Sequence, residues 1–385
     1  MVAHRRETLI DRAGEAGSVR EVFAAASERM RGLVPFDAAV WLASDPATSL
    51  PTAPTRSENM GFVGGSDGCL RLWELEFFAE DVNLYCDVAR APTPARALRE
   101  ATSDRPARSA RYREFLRPNG LDDELRAVLR VDGDAWAWLS LFREQGRPAF
   151  DPDEVDLVAS LSGPLGEAVR DQARSALPLG VETADRGPGL MLFAPTGELI
   201  SINDDARAWL DEFPPDSGKA GPSDVVNAAG NFDVRLPMAV AAALMRAWAI
   251  AEERDHGSAR ARLRSRASGR WLVCHASCLR DPEGGLANTA LAIEPAKPSE
   301  VAPIIVQAYE LTPREQEITE LIAQGLDTGD IAHRVHLSPH TVRDYVKAIF
   351  DKVHVSSRGE LVAKLFADHY APIHTDPSAL EQVDA

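Results

Sequence analysis

Between Ser338 and Val353 the chain sorts its residues with the period of a helix. At 100° per residue, Val342, Val346, Ile349 and Val353 share one narrow stripe, while His340, Arg343, Asp344, Lys347 and Asp351 fall on the opposite side. Ser338 followed by Pro339 is a helix start, a capping hydroxyl ahead of a ring that needs no N–H partner. So thin a stripe must lean on neighbours, and the preceding residues supply them. Thr312, Pro313 and Glu315 form a capping box before Ile318, Leu321 and Ile322, and Gly325 ends that helix. A second short helix spans about Thr328–Val335 and buries Ile331, Ala332 and Val335, with only His336 and Leu337 before Ser338. Two short helices joined by a tight turn, the second with an apolar keel and a polar outer face, make a helix-turn-helix. Such an outer face can enter a major groove with its N-terminal half at base edges.

The matching residues are specific. Leu311-Thr312, Arg314-Glu315, Glu317-Ile318, Gly325, Ile331-Ala332, Leu337-Ser338, Thr341-Val342, Lys352, Val355, Arg358 and Glu360-Leu361 together resemble the LuxR/NarL-type helix-turn-helix family. The resemblance implies a four-helix DNA-binding domain over about 305–370, with a recognition helix at about 339–352. It implies base contacts from Arg343, Asp344, Lys347 and His340, and phosphate contacts from Thr341, Lys352, Thr328 and Ser338. The helix after Ser357 would supply a homodimer contact through Leu361 and Leu365. Double-stranded DNA is the implied partner, and the family also admits RNA polymerase. Three positions depart from its usual pattern. Asp327 stands for a capping Ser or Thr, a swap that capping chemistry tolerates, Gly329 replaces a basic residue, and Tyr345 replaces a frequent His.

Two breaker-rich joints separate this block from what precedes it. One is Ala176–Gly189, and the other is Glu294–Pro303, with three prolines in ten residues. The first module, 18–175, reads as α+β: a helix over Val19–Arg31, a strand at Phe36–Ala43 and a hairpin turning at Asp132-Gly133. A long helix then starts at Asp151-Pro152 and buries Val155, Val158, Leu161 and Leu165. Its order of elements is similar to a GAF sensory domain. The second module, 189–294, reads as a hairpin around Pro195-Thr196-Gly197, a helix capped by Asp204-Asp205, a loop over Phe213–Ser223, an Ala-rich helix over about Pro237–Glu253, and three strands. Two strands, helices, then three strands is the order of a PAS domain, which this module resembles. The expected fold class is therefore multidomain: two α+β sensory domains, GAF-like and PAS-like, followed by an all-α helix-turn-helix domain. Such modules could take a small-molecule effector.

Charge narrows the function. With 42 Lys+Arg against 59 Asp+Glu the net charge is -17, so no whole-protein basic field steers this chain to nucleic acid or to an anionic membrane. Any DNA contact must come from a local patch. No apolar run reaches the roughly 20 residues of a membrane helix, and Met1–Ile10 has no apolar region of a secretory signal behind His4, Arg5 and Arg6. Four cysteines in 385 residues suit free thiols in a reduced, cytoplasmic protein.

Candidate chemistry elsewhere dissolves on placement. Gly64-Gly65-Ser66-Asp67-Gly68 has the spacing of a nucleophile elbow, but no βα unit precedes it and the next histidine, His256, is in another module. Cys274 and Cys278 lie about 13 Å apart along a strand, with His275 on the other face, so no metal site is expected there. Gly218-Lys219 lacks the residues of a phosphate loop. Arg260, Arg262, Arg264 and Arg266 alternate onto one strand face, expected to be solvated or to meet another domain, with an anionic ligand or DNA backbone as the minority reading. Trp41, Trp73, Phe77, Phe78, Tyr85, Trp136 and Trp138 are expected mainly in the first module's core. No cofactor and no enzymatic activity are expected. The competing classes are a small-molecule-binding enzyme and a regulator that uses its helices for protein contacts without DNA.

Overall fold

The computed structural model describes residues 2–46, 48–60, 68–175, 186–213, 223–226, 233–265, 270–296, 309 and 311–366. Ser66, Gly218-Lys219, Arg266, most of both joints and the tail lie outside the described residues, as does the side chain of Leu365. The described residues up to 296 form one compact unit, and those from 309 onward a second.

The first unit begins with α1 (Val2–Gly14) and α2 (Val19–Met30), then β1 (Ala38–Ser44), β2 (Pro51–Glu58), α3 (Gly68–Phe77) and α4 (Tyr85–Arg90). It continues with β3 (Ala95–Ala97), α5 (Leu98–Ala101), β4 (Leu121–Val131), β5 (Asp134–Glu144) and α6 (Pro152–Ser175). The sheet is antiparallel in the order β2-β1-β5-β4-β3. Asp132 and Gly133 both have positive φ, 54° and 93°, so the β4–β5 hairpin closes through the primed turn that suits strand twist. All seven residues of β1 are buried; α2 and α6 cover one face of the sheet, and α4, with Trp73 of α3 against Trp138, the other. The Phe23 and Trp41 rings stack at 5.6 Å on the α2 side. On the other side Trp138 stacks on Tyr85 at 4.4 Å and meets Trp73 at 6.0 Å. Trp41, Trp73, Tyr85, Trp136 and Trp138 are all buried, and Phe77 and Phe78 partly so.

Within the same unit follow β6 (Gly189–Phe193), β7 (Leu199–Ile202), α7 (Asp204–Leu210), β8 (Ser223–Val226), β9 (Asp233–Leu236), α8 (Met238–Ala251), β10 (Arg260–Arg264), β11 (Trp271–Arg280) and β12 (Leu286–Pro295). The second sheet runs β10-β11-β12-β6-β7, with β8 and β9 as a separate pair that the sequence reading did not anticipate. The cap of α7 is Asn203 rather than Asp204-Asp205, its side chain accepting from the Ala206 N–H at 2.9 Å. The two aspartates occupy the first turn instead, where the helix dipole favours them. Gly189 is required where β6 crosses α7, since a Cβ there would stand 2.6 Å from the Ala206 Cα.

Helix α8 joins the two halves of this unit. It packs on β10, β11 and β12 and also on α3 and β2, which is why its buried residues run almost all round it. The buried apolar residues of both halves form one continuous cluster, from Val40 and Trp73 to Leu244 and Ile293. Arg262 pairs with Asp45 at 2.5 Å, with side-chain exposures of 10% and 0%, so one arginine of the alternating row meets the neighbouring half. Arg254 donates to the Phe78 carbonyl at 3.1 Å from the same side.

Beneath α3 lies a buried charge network. Glu124 accepts from Arg111 at 2.7 Å and from Arg126 at 2.9 Å, and Arg126 reaches Glu76 at 2.6 Å. Ser140 donates to Glu124 and shares a hydrogen bond with the Tyr85 hydroxyl. Burial pushes the Glu124 carboxyl up, but the two guanidiniums outweigh it and hold it down to about 2. Burial, chiefly, pushes the Tyr85 hydroxyl up to about 12.

Candidate nucleic-acid interface

The second unit is built from α9 (Pro313–Ala323), α10 (Thr328–Arg334), α11 (Pro339–Val353) and α12 (Arg358–Phe366). Each start has its cap. The Thr312 side chain accepts from the Glu315 N–H while Glu315 accepts from the Thr312 N–H at 2.7 Å, a complete capping box. Asp327 accepts from the Asp330 N–H at 2.8 Å and Ser338 from the Thr341 N–H at 3.1 Å. Gly325, with φ 83°, follows α9, and His336, with φ 53°, makes the turn between α10 and α11. Ile318, Ile322, Ile331, Val335, Val342, Ile349 and Val353 are buried together, and Val346 is half-buried at the edge of the keel.

The opposite side of α11 is open. His340, Arg343, Asp344, Lys347 and Asp351 are all exposed. Asp344 Oδ2 lies 3.1 Å from His340 Nδ1, one turn earlier on the helix. The intramolecular partner available to Asp344 is therefore His340. Arg343 and Lys347 make no ion pair among the described residues, leaving two cations facing solvent.

The residues expected at phosphates divide. Ser338 and Thr341 sit together at the start of α11, their hydroxyl oxygens 2.8 Å apart. The Thr328 hydroxyl accepts from Arg358 Nη2 at 2.8 Å. Lys352 Nζ is held by Glu315 Oε2 at 2.7 Å, so a phosphate would have to compete with a buried carboxylate. Burial raises the Glu315 carboxyl, but hydrogen bonds from Lys352 and Thr312 keep it below the usual carboxylate range.

Leu361 is a correction. It is fully buried, part of the core in which α12 packs on α9, and it cannot face a second copy without opening that core. Its period along a nine-residue helix marked an apolar position but not which surface would cover it. Two arginines have roles that sequence reasoning missed. Arg314 Nη2 donates to the Val335 carbonyl at the end of α10, and Arg358 Nη1 donates to the Leu326 carbonyl at 2.8 Å. Each ties one helix to the turn of another. Arginine at a helix start, where the dipole does not favour a cation, was the available signal.

Elsewhere, Cys274 is buried, His275 is exposed on the opposite face, and Cys278 bonds the Ala247 carbonyl and Thr289. Burial pushes the Cys274 thiol far above its ordinary value. No group of residues that could hold a metal ion occurs among the described residues. Among them, no helix is long and apolar enough to cross a membrane.

Residues 309–365 match the family model for bacterial regulatory proteins of the luxR family. The chain is 32% identical over 87 residues to the transcriptional regulatory protein DesR of Bacillus subtilis, covering 22% of this chain and 44% of that protein. It is 45% identical over 51 residues to the nitrate/nitrite response regulator protein NarL of Escherichia coli K12, covering 13% of this chain and 24% of that protein. The chain thus spans less than half the length of these relatives. Among solved structures, Escherichia coli SdiA aligns over 94% of this chain and 96% of its own at 13% identity, with a TM-score of 0.34. The photosensory core module of Stigmatella aurantiaca phytochrome aligns over 46% of this chain and 39% of its own at 16% identity and a TM-score of 0.30. Scores this low assign no fold to the first unit. What the comparisons show is that the C-terminal helices are a helix-turn-helix domain of the luxR family of bacterial regulatory proteins.

Proposed function

We propose that this chain is a transcriptional regulator that reads double-stranded DNA with α11 in the major groove, and that the first unit controls it as a sensory half. The observation that carries the reading is the division of α11: Val342, Ile349 and Val353 buried, His340, Arg343, Asp344 and Lys347 open. A helix fixed by its keel and capped at Ser338 offers the side chains of its first turns to base edges. Arg343 and Lys347 are the types that read guanine O6 and N7. With a net charge of -17 the rest of the chain repels DNA, so these two cations and the hydroxyls at the start of α11 must supply the attraction. The first unit supports the GAF-like and PAS-like readings by its strand orders. Numbering only the strands of each five-stranded sheet, both run 2-1-5-4-3. We read the chain as a homodimeric regulator rather than an enzyme, with a small molecule as the effector class.

Selection from a pool of randomised DNA by the full chain tests this: enrichment of paired half-sites is expected, and no enrichment would sink the reading. Arg343→Ala and Lys347→Ala should each weaken binding to the selected site by ~1–3 kcal/mol, roughly 5-fold to 150-fold, measured by fluorescence anisotropy.

Asp344 makes a separate prediction. A carboxylate near phosphates lowers general affinity and can recover it by accepting from a cytosine N4 amino group. Asp344→Ala should bind random DNA more tightly yet lose preference at one base pair of each half-site. An unchanged selected motif would leave Asp344 only its pairing with His340.

A further inference from the structure

The outer face of the second sheet carries an uncharged patch. Across the strands, one row of directly paired residues reads Leu190, Ala292, His275, and the next reads Ser201, Leu192, Ala290, Ser277. Leu279 continues the same face of β11. Leu190 is 51% exposed and Leu279 45%, two of the three most exposed large apolar side chains among the described residues. Strand β6 is therefore apolar on both sides, with Met191 and Phe193 inward and Leu190 and Leu192 outward. The depression over these strands encloses about 500 Å³, and no Asp, Glu, Lys or Arg lines it.

The first half of the unit covers only one end of this face. The row Glu294, Val273, Arg262 is closed off there, with Val273 buried and Arg262 paired to Asp45. The rest is open, rimmed by Arg260 beside His275 and by Glu294. An uncharged centre inside a charged rim is the anatomy of a protein interface.

We propose that a second copy of this chain docks on this face, about a two-fold axis. Two features on the page choose that occupant. The face holds both halves of a self-complementary contact, since the leucines stand as ridges and Ala290, Ala292, Ser277 and Ser201 form a low floor. In a two-fold pair the ridge of each copy meets the floor of the other. Charge gives the second argument: two chains of -17 repel one another over most of their surfaces and can approach where neither presents an acidic side chain. The four strands span roughly 19 Å at ~4.8 Å per strand. From His275 to Leu279 the face runs about 14 Å along the strands at ~3.4 Å per residue, a patch of roughly 270 Å². That is well below the ~800 Å² per partner of a standard interface, so the pair is reversible and depends on concentration. The inference deepens the homodimer reading and supplies the contact that buried Leu361 cannot make.

Sedimentation equilibrium of the full chain over a concentration series tests it. The wild type should pass from one copy to two. Leu190→Glu and Ser277→Arg, both at exposed positions, should keep the wild-type melting temperature and raise the dimer dissociation constant by about tenfold or more, since each places like charges across the axis. A wild type that stays single at every concentration, or variants that pair as well as the wild type, overturns the proposal. A wild type that pairs, is weakened by both changes and yet selects no DNA sequence upholds this surface while removing the DNA-binding reading.

Discussion

Glu124→Leu should lower the unfolding free energy of the first unit by about 3–5 kcal/mol, the typical consequence of removing one partner from a buried ion pair. Arg111 and Arg126 share that carboxylate, and all three side chains are about 1% exposed. Arg126 would keep Glu76, but Arg111 would keep only the Val82 carbonyl for a buried positive charge. Urea unfolding followed by tryptophan fluorescence measures the loss. Replacing Arg111 by methionine in the same chain should restore much of it, because a buried pair exchanged for apolar side chains of similar size is often neutral. A single variant as stable as the wild type would show that the network is not stabilising. The same carboxylate makes the unit sensitive to acid. Its ordinary value is 4.5 and the fold holds it down to about 2, so its contribution is complete above 4.5 and is lost as pH falls from there towards 2.

A comparable loss, again about 3–5 kcal/mol, is expected for Asp45→Ala, which leaves the Arg262 guanidinium at the seam without its carboxylate. Here the location of the effect matters as much as its size. Asp45 follows β1, and Arg262 stands in the middle of β10. Hydrogen exchange should therefore quicken in β1, β10 and α8 together, since α8 packs on both halves. If α8 keeps wild-type protection, the apolar cluster alone holds the halves together and the ion pair only orients them.

How much of this could be read from sequence depends on how local each cause is. Caps and turns are short-range chemistry, so the starts at Thr312, Ser338 and Asp151 and the Asp132-Gly133 hairpin fall where the sequence places them. Strand β2 was missed because Pro51 and Pro54 argue against a strand. It is an edge strand, where a missing N–H is tolerated. Strand β3 has three residues, too few for a period to show. The seam was half legible: the alternation of Arg260, Arg262 and Arg264 announced a polar row, but its partner Asp45 lies 217 residues away. In the helix-turn-helix, the exposed and buried faces of α11 follow from periodicity alone. The engagement of Lys352 by Glu315 and the burial of Leu361 depend on how helices pack, which no local pattern encodes.

The position of β12 has a mechanical consequence. It is the last strand before the chain passes on towards the helix-turn-helix, and it is the central strand of its sheet, bonded to β11 on one side and β6 on the other. A pull on that connection, along the strand, loads two ladders in parallel. Both must shear together, where an edge strand could be peeled one bond at a time. The chain thus leaves the second sheet, on its way to the C-terminal helices, from a strand paired on both sides. Strain arriving through it would spread into β11 and β6 before any single strand yields.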